Sequence, residues 1–260
     1  MAMIRIKTGM AGMVLALMVA LLPIQSASAR ECERENFERS DFIVCTVEPG
    51  TDDLQLFWRG GNNEPFRHFS ELANALAREG RQLVFAINAG MYMTDFTPVG
   101  LHIEHGRQLR PLNTRTLDGP PAQVPNFYKQ PNGVFYIDET GAGVVSTEAF
   151  ADLDSEVRFA TQSGPMLVIE NTLHPAFIEG SSDRTRRSGV GVCADGRVRF
   201  ALSEGGVNFH DFARLFRDHL ECPNALFLDG GRGVGIYHPF IGRNDRSWHG
   251  GFGAIFGIAE

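Results

Sequence analysis

The sequence predicts a single α+β domain, a mixed β-sheet core with about two covering helices. Three observations lead there. Short apolar or alternating runs recur along the chain between Gly, Pro, Asn and Asp residues, as strands do between turns. Only two stretches place apolar residues at helical spacing. Gly, at 29 of 260 residues, and Phe, at 20, suit many tight turns around a large core.

The elements follow in order. Residues 41–47 and 54–58 form an opening pair of strands around Pro49-Gly50. Ser70 is positioned to cap a helix running to Glu79, with Leu72, Ala73 and Leu76 on one face and Gly80 as its stop. The all-apolar run 83–87 is long enough for a buried strand and too short for a helix. Residues 107–130 are rich in Pro and Gly and predict a long loop, of the kind that often lies over a site. Strands are expected at 134–137, 157–161, 166–169, 190–193 and 198–202, the last alternating Val198, Phe200 and Leu202 with polar neighbours. Residues 208–220 predict the clearest helix: Asn208 caps it, and Phe209, Phe212, Ala213, Phe216 and Leu220 form its core stripe. Cys222-Pro223 ends it, and 225–228 is another buried strand.

The first 29 residues carry the marks of a signal peptide. Arg5 and Lys7 precede an apolar run at 10–22, and Ala27-Ser28-Ala29 fits a cleavage site. The run is shorter than the roughly 20 residues of a membrane span, so no stable span is expected once it is removed. Residues 30–260 would form the mature domain, exported to the periplasm or the medium. The formal net charge of −7 argues against nucleic acid as a partner. Cys32, Cys45, Cys193 and Cys222 form no Cys-x-x-Cys pair, and in an oxidising compartment two disulfides are the default. Of three possible pairings, Cys32–Cys45 with Cys193–Cys222 is favoured, and four buried thiols are the alternative.

Two of the buried strands end in a polar side chain followed by small residues: 83–87 into Asn88-Ala89-Gly90, and 225–228 into Asp229-Gly230-Gly231. A buried strand fixes its last side chain, and glycine lets a ligand approach the backbone. Turns use the same residues, so spacing alone leaves both readings open. Pro131-Asn132-Gly133, Gln162-Ser163-Gly164-Pro165 and Ser203-Glu204-Gly205-Gly206 share this grammar.

Asn88-Ala89-Gly90-Met91, Pro131-Asn132-Gly133-Val134-Phe135, Gln162-Ser163-Gly164-Pro165-Met166-Leu167 and Leu228-Asp229-Gly230-Gly231 stand in an order that resembles the phosphodiester glycosidase domain family. Arg187-Ser188-Gly189-Val190-Gly191 is similar to that family's Arg-x-x-x-Gly segment, and the resemblance spans about residues 82–258. Two positions depart: Asn88-Ala89-Gly90-Met91 stands for Asn-Gly-Gly-Phe, and Asp229-Gly230-Gly231-Arg232-Gly233 for Asp-Gly-Gly-Gly-Ser.

The resemblance implies a hydrolase that parts a sugar from a phosphodiester in a polysaccharide, glycolipid or envelope polymer. Phosphate is a good leaving group, so the demand is for a carboxylate near an oxocarbenium-like centre. Asp229 is the first candidate and Glu204 the second. Arg187 suits a phosphate, because a guanidinium binds two oxygens at once. Asn88, Gly90, Asn132, Ser163, Gly164, Gly230, Gly231 and Arg232 complete the expected substrate contacts. No cofactor and no metal are expected: His102-Ile103-Glu104-His105 matches no metal motif, and no Gly-x-Ser-x-Gly elbow is present. The alternatives are a metal-dependent phosphodiesterase that cuts the P–O bond and a non-catalytic glycan-binding protein.

Overall fold

The computed structural model describes Met1 and residues 31–120 and 122–260; the expected leader therefore lies outside the described residues apart from Met1. Among these residues the strands, in chain order, are β1 (Cys32–Phe37), β2 (Ser40–Val47), β3 (Leu54–Phe57), β4 (Leu83–Asn88), β5 (His102–Glu104), β6 (Arg107–Arg110), β7 (Gly133–Ile137), β8 (Ala142–Ser146), β9 (Phe159–Ser163), β10 (Met166–Ile169), β11 (Thr172–Leu173), β12 (Arg187–Val192), β13 (Val198–Ser203), β14 (Asn224–Gly230), β15 (Ile236–His238), β16 (Arg243–Asn244) and β17 (Ile255–Ala259). The helices are α1 (Phe69–Arg78), α2 (Thr147–Ala151) and α3 (Phe209–Arg214), the last continued by a π-helical turn over Leu215–His219.

The α+β class holds, and the sheet is three sheets. Their strand orders are β1-β2-β13-β12-β14-β10-β11, β16-β15-β4-β17-β3 and β6-β5-β9-β7-β8. Where a mixed sheet was expected, the pairings between these strands are antiparallel. Alternation along each strand decides what packs where, because successive side chains point to opposite faces. Ile43 and Cys45 of β2, with Leu226 and Leu228 of β14, join a central core shared by the inner faces of the three sheets. Phe42 and Val44, with Ala225 and Phe227, face outward and pack under Phe209, Phe212 and Phe216 of the α3 segment. Helix α1 covers the second sheet through Phe69, Leu72 and Leu76.

Local expectations fare unevenly. Asn208 caps α3 by accepting the Asp211 N–H at 2.8 Å. Ser70 caps nothing: α1 begins at Phe69 after His68, which makes no side-chain cap bond, and Phe69 stacks on Phe252 at 4.4 Å. Packing sets that start. Strand β12 begins at Arg187, three residues before the expected one, which matters for the site. Both favoured disulfides, Cys32–Cys45 and Cys193–Cys222, are present. Among the described residues, no helix is long and apolar enough to cross a membrane.

Candidate functional site

All six residues of β4 are buried, which carries Asn88 to a defined place at its end. There its Nδ2 donates to Ser188 Oγ at 2.8 Å, and its Oδ1 accepts from Gly235 N at 3.2 Å. Asn88 thus ties the second sheet to the first and to the loop after β14. The Ser188 hydroxyl grips the backbone of Asp229 at both ends, donating to its carbonyl at 3.1 Å and accepting from its N–H at 3.3 Å. A register shift between Ser188 and Gly189 accommodates this. Such irregularities re-aim side chains at strand ends.

Asp229 is therefore held by a relay from Asn88 through Ser188. Its carboxylate Oδ1 accepts one hydrogen bond, from Gly230 N at 2.7 Å. Gly233 lies against it; a Cβ there would stand 2.8 Å from Asp229 Cγ and closer still to Oδ2. Burial pushes the Asp229 carboxyl up to about 7, and the single backbone bond offsets this only in part. The residue as a whole keeps some exposed surface, so its buried carboxyl lies close to solvent. Tyr92 lies near enough to feel the Asp229 charge. Burial, then the Asp229 charge, pushes its phenol up to about 12, and its hydroxyl donates to Gly251 O at 2.8 Å.

The remaining expected residues divide into groups. Gly90, Gly230 and Gly231 surround the two strand ends. Gly90 has no room for a side chain, since a Cβ would meet Gln162 O and Thr161 Oγ1 at 2.7 Å. Arg232 is exposed, and its carbonyl accepts the N–H of Trp248, an indole residue 81% exposed. Asn132, Ser163 and Gly164 serve as anchors. Asn132 donates to Phe127 O at 2.9 Å and accepts from Thr147 Oγ1 at 2.7 Å. Ser163 donates to Leu228 O at 2.8 Å, one residue before Asp229. A Cβ at Gly164 would stand 2.6 Å from Asn132 Cβ.

Arg187 and Glu204 lie where β12 begins and just past the end of β13; Arg187 does not face Asp229, and Glu204 is taken up by arginines. Glu204 accepts from Arg243 Nη1 at 2.9 Å, with Arg34 at 3.8 Å, and Arg243 also grips Asp245. Arg187 pairs with Gly230 and Ser188 with Asp229, so Arg187 and Asp229 point to opposite faces of the first sheet. The Arg187 side chain, 1% exposed, stacks on Phe209 at 3.6 Å from the ring centroid. Burial lowers its guanidinium to about 10, partly offset by Asp183, so it stays charged at neutral pH.

Sequence reasoning missed Ser188, Tyr92 and Gly233. Ser188 adjoins a flagged arginine and Gly233 a flagged loop, so both lay within reach. Tyr92 carried no spacing signal. Among the described residues, no group of three or more His, Cys, Asp or Glu converges as a metal site.

The protein is 32% identical over 214 residues to YigE of Escherichia coli (strain K12), a protein described as uncharacterized; the match covers 82% of this chain and 81% of that one. Among solved structures, the catalytic domain of zebrafish N-acetylglucosamine-1-phosphodiester alpha-N-acetylglucosaminidase, auto-inhibited by its pro-peptide, superposes with a TM-score of 0.60 at 15% identity. That likeness covers 88% of this chain and 82% of the zebrafish one. A hypothetical protein from Synechocystis gives a TM-score of 0.53 at 16% identity, over 88% of this chain and 61% of the other. These two likenesses establish a shared fold. A family profile described as phosphodiester glycosidase matches residues 81–253, which include every candidate described above. The chain belongs to the phosphodiester glycosidase family of hydrolases.

Proposed function

We propose that the protein hydrolyses the anomeric C–O bond of a sugar-1-phosphodiester in a glycan or envelope polymer, outside the cytoplasm, with Asp229 as its catalytic carboxylate. One observation carries the reading: a carboxyl with a single hydrogen bond, raised to about 7 by burial, whose backbone is clamped at a glycine-lined strand end. The departing phosphate needs little protonation, so one carboxylate can suffice where ordinary glycosidases use two. Ionised Asp229 is poorly solvated in the ground state. Positive charge developing at the anomeric carbon relieves that penalty, which is differential stabilisation of the transition state. Asn88 and Ser188 act as positioning residues, Gly90 lets β9 pack close to the Asn88 turn, and Gly230 and Gly231 leave room for the sugar.

Two disulfides support export, since such bonds persist in oxidising compartments. The zebrafish protein acts, by its name, on an N-acetylglucosamine-1-phosphodiester, so such esters are the first substrates to try. The test incubates them with the purified protein and its Asp229→Asn variant, with and without EDTA. Free sugar, unaffected by EDTA and lost in the variant, is the expected product. Sugar phosphate that disappears with EDTA would replace this reading with a metal-dependent phosphodiesterase.

A further inference from the structure

On the outer face of the first sheet, around the edge from Asp229, lies a cavity of about 190 Å³ lined in part by Lys129, Phe177, Ile178, Asp183 and Phe209. The Arg187 guanidinium lies against two of its walls. It stacks on Phe209 and stands 3.5 Å from Asp183 Oδ2. Lys129 Nζ stands over the same ring, 5.6 Å from its centroid. Two cations thus stand against one aromatic ring, with the Asp183 carboxylate beside Arg187 and its side chain 77% exposed.

The donors of these cations are not exhausted. Arg187 gives Nε to Val207 O at 2.9 Å and Nη2 to Asp183 O at 3.3 Å. Its Nη1 has no hydrogen-bond partner among the described residues. Lys129 gives one of its three N–H groups to Asn126 Oδ1 at 2.8 Å. Its pKa is lowered, first by burial and further by Arg187, against the opposing pull of Asp183. His174 stacks on Phe177 at 4.9 Å, and burial drops it to about 4, so it adds no third charge. Surplus positive charge with free donors in a partly desolvated site is what an anion completes.

The opposite wall is apolar. Ile178 is 71% exposed beside these charges, next to Phe177 and Ala176. The volume is well below the roughly 300 Å³ at which pockets begin to enclose drug-sized ligands, which excludes a nucleoside diphosphate.

We infer that this cavity binds the phosphate of an alkyl or aryl phosphate monoester between Lys129 and Arg187, with the apolar substituent on Phe177 and Ile178. Because Arg187 and Asp229 point to opposite faces of the first sheet, the cavity is a binding site in its own right, apart from the Asp229 carboxylate.

The test is calorimetric titration of the purified protein with methyl phosphate, hexyl phosphate and hexanol. Hexyl phosphate should bind at least about tenfold more tightly than methyl phosphate, because methylenes leave water, and hexanol should not bind. Lys129→Ala should weaken both phosphates about tenfold, as loss of a charge-assisted hydrogen bond does. Ile178→Ser, at an exposed position, should bring the two affinities together. Equal affinities in the unaltered protein, an unaffected Lys129→Ala, binding of hexanol as tight as hexyl phosphate, or binding of none of the three would each overturn the assignment. Selective phosphate binding without hydrolysis removes the reaction and leaves the cavity.

Discussion

Gly233→Ala should cripple the enzyme without unfolding it. Gly233 has no positive φ that only glycine would tolerate, so alanine meets no backbone penalty there. Its Cβ, however, would stand 2.8 Å from Asp229 Cγ and nearer to Oδ2. The carboxylate is the mobile partner, with a single hydrogen bond to lose. It must retreat by roughly an ångström, a displacement that costs about 100-fold in rate when it misplaces a reacting group. The assay is kcat/KM on a sugar-1-phosphodiester beside a thermal melt. The expected pattern is a loss of about 100-fold, or about 2.7 kcal/mol of transition-state stabilisation, with Tm changed by a few degrees. Gly205→Ala, whose Cβ would meet nothing within 4 Å, is the control and should be silent. Activity in Gly233→Ala within threefold of the unaltered protein would refute the claim that the Asp229 carboxylate does the chemistry from this position.

Three further outcomes follow from the same geometry. Because ionised Asp229 is the active form, kcat/KM should rise with pH through an inflection near 7, and a profile flat from pH 5 to 9 would contradict this. The same shift destabilises the fold as pH rises: the folded carboxyl sits at about 7 against an ordinary 3.8, so the native state holds the extra proton in between. Asp229→Asn should accordingly leave the stability measured by denaturant titration unchanged at pH 4 and raise it at pH 8, by about 2 kcal/mol after allowance for the residue's partial exposure. Ser188→Ala removes both grips on the Asp229 backbone; denaturant titration should show a loss of about 1–3 kcal/mol, with activity falling further than the fold does. Reducing Cys193–Cys222, which spans 29 residues, should cost about 3–4 kcal/mol in the chain-entropy estimate, measured by melting with and without reductant.

The strand ends were legible because burial leaves a signature in sequence. The runs before Asn88 and Asp229 are wholly apolar and too short for helices, and both residues do end buried strands of adjoining sheets. The stripe on 208–220 was equally plain, since Asn208, Phe212 and Phe216 follow helical spacing. Strand β1 was hidden: Cys32-Glu-Arg-Glu-Asn-Phe reads as polar because it is an edge strand, fixed by the Cys32–Cys45 bridge directly across its register. The β15–β17 segments were lost among glycines, and Ser70 misled because burial of Phe69 decides where α1 starts.

The site was half legible for a different reason. That Arg187 turns away from Asp229 depends on β12 starting at 187 and on its register against β14, which no local pattern encodes. The loss of Glu204 to Arg243 depends on a partner 39 residues away. Asn132 and Ser163 carry the grammar of a binding loop, yet their hydrogen bonds close on the protein's own backbone and Thr147. Glycine next to a buried polar residue marks close approach of something; only the tertiary fold tells whether that is substrate or another strand.

The most direct test of the central claim is hydrolysis of an N-acetylglucosamine-1-phosphodiester in ¹⁸O-labelled water, with products resolved by mass spectrometry. Attack at the anomeric carbon places the label in the released sugar and leaves the phosphate monoester unlabelled, which is the result expected if Asp229 works at C1. Label in the phosphate would mean that the P–O bond breaks, and would contradict the account.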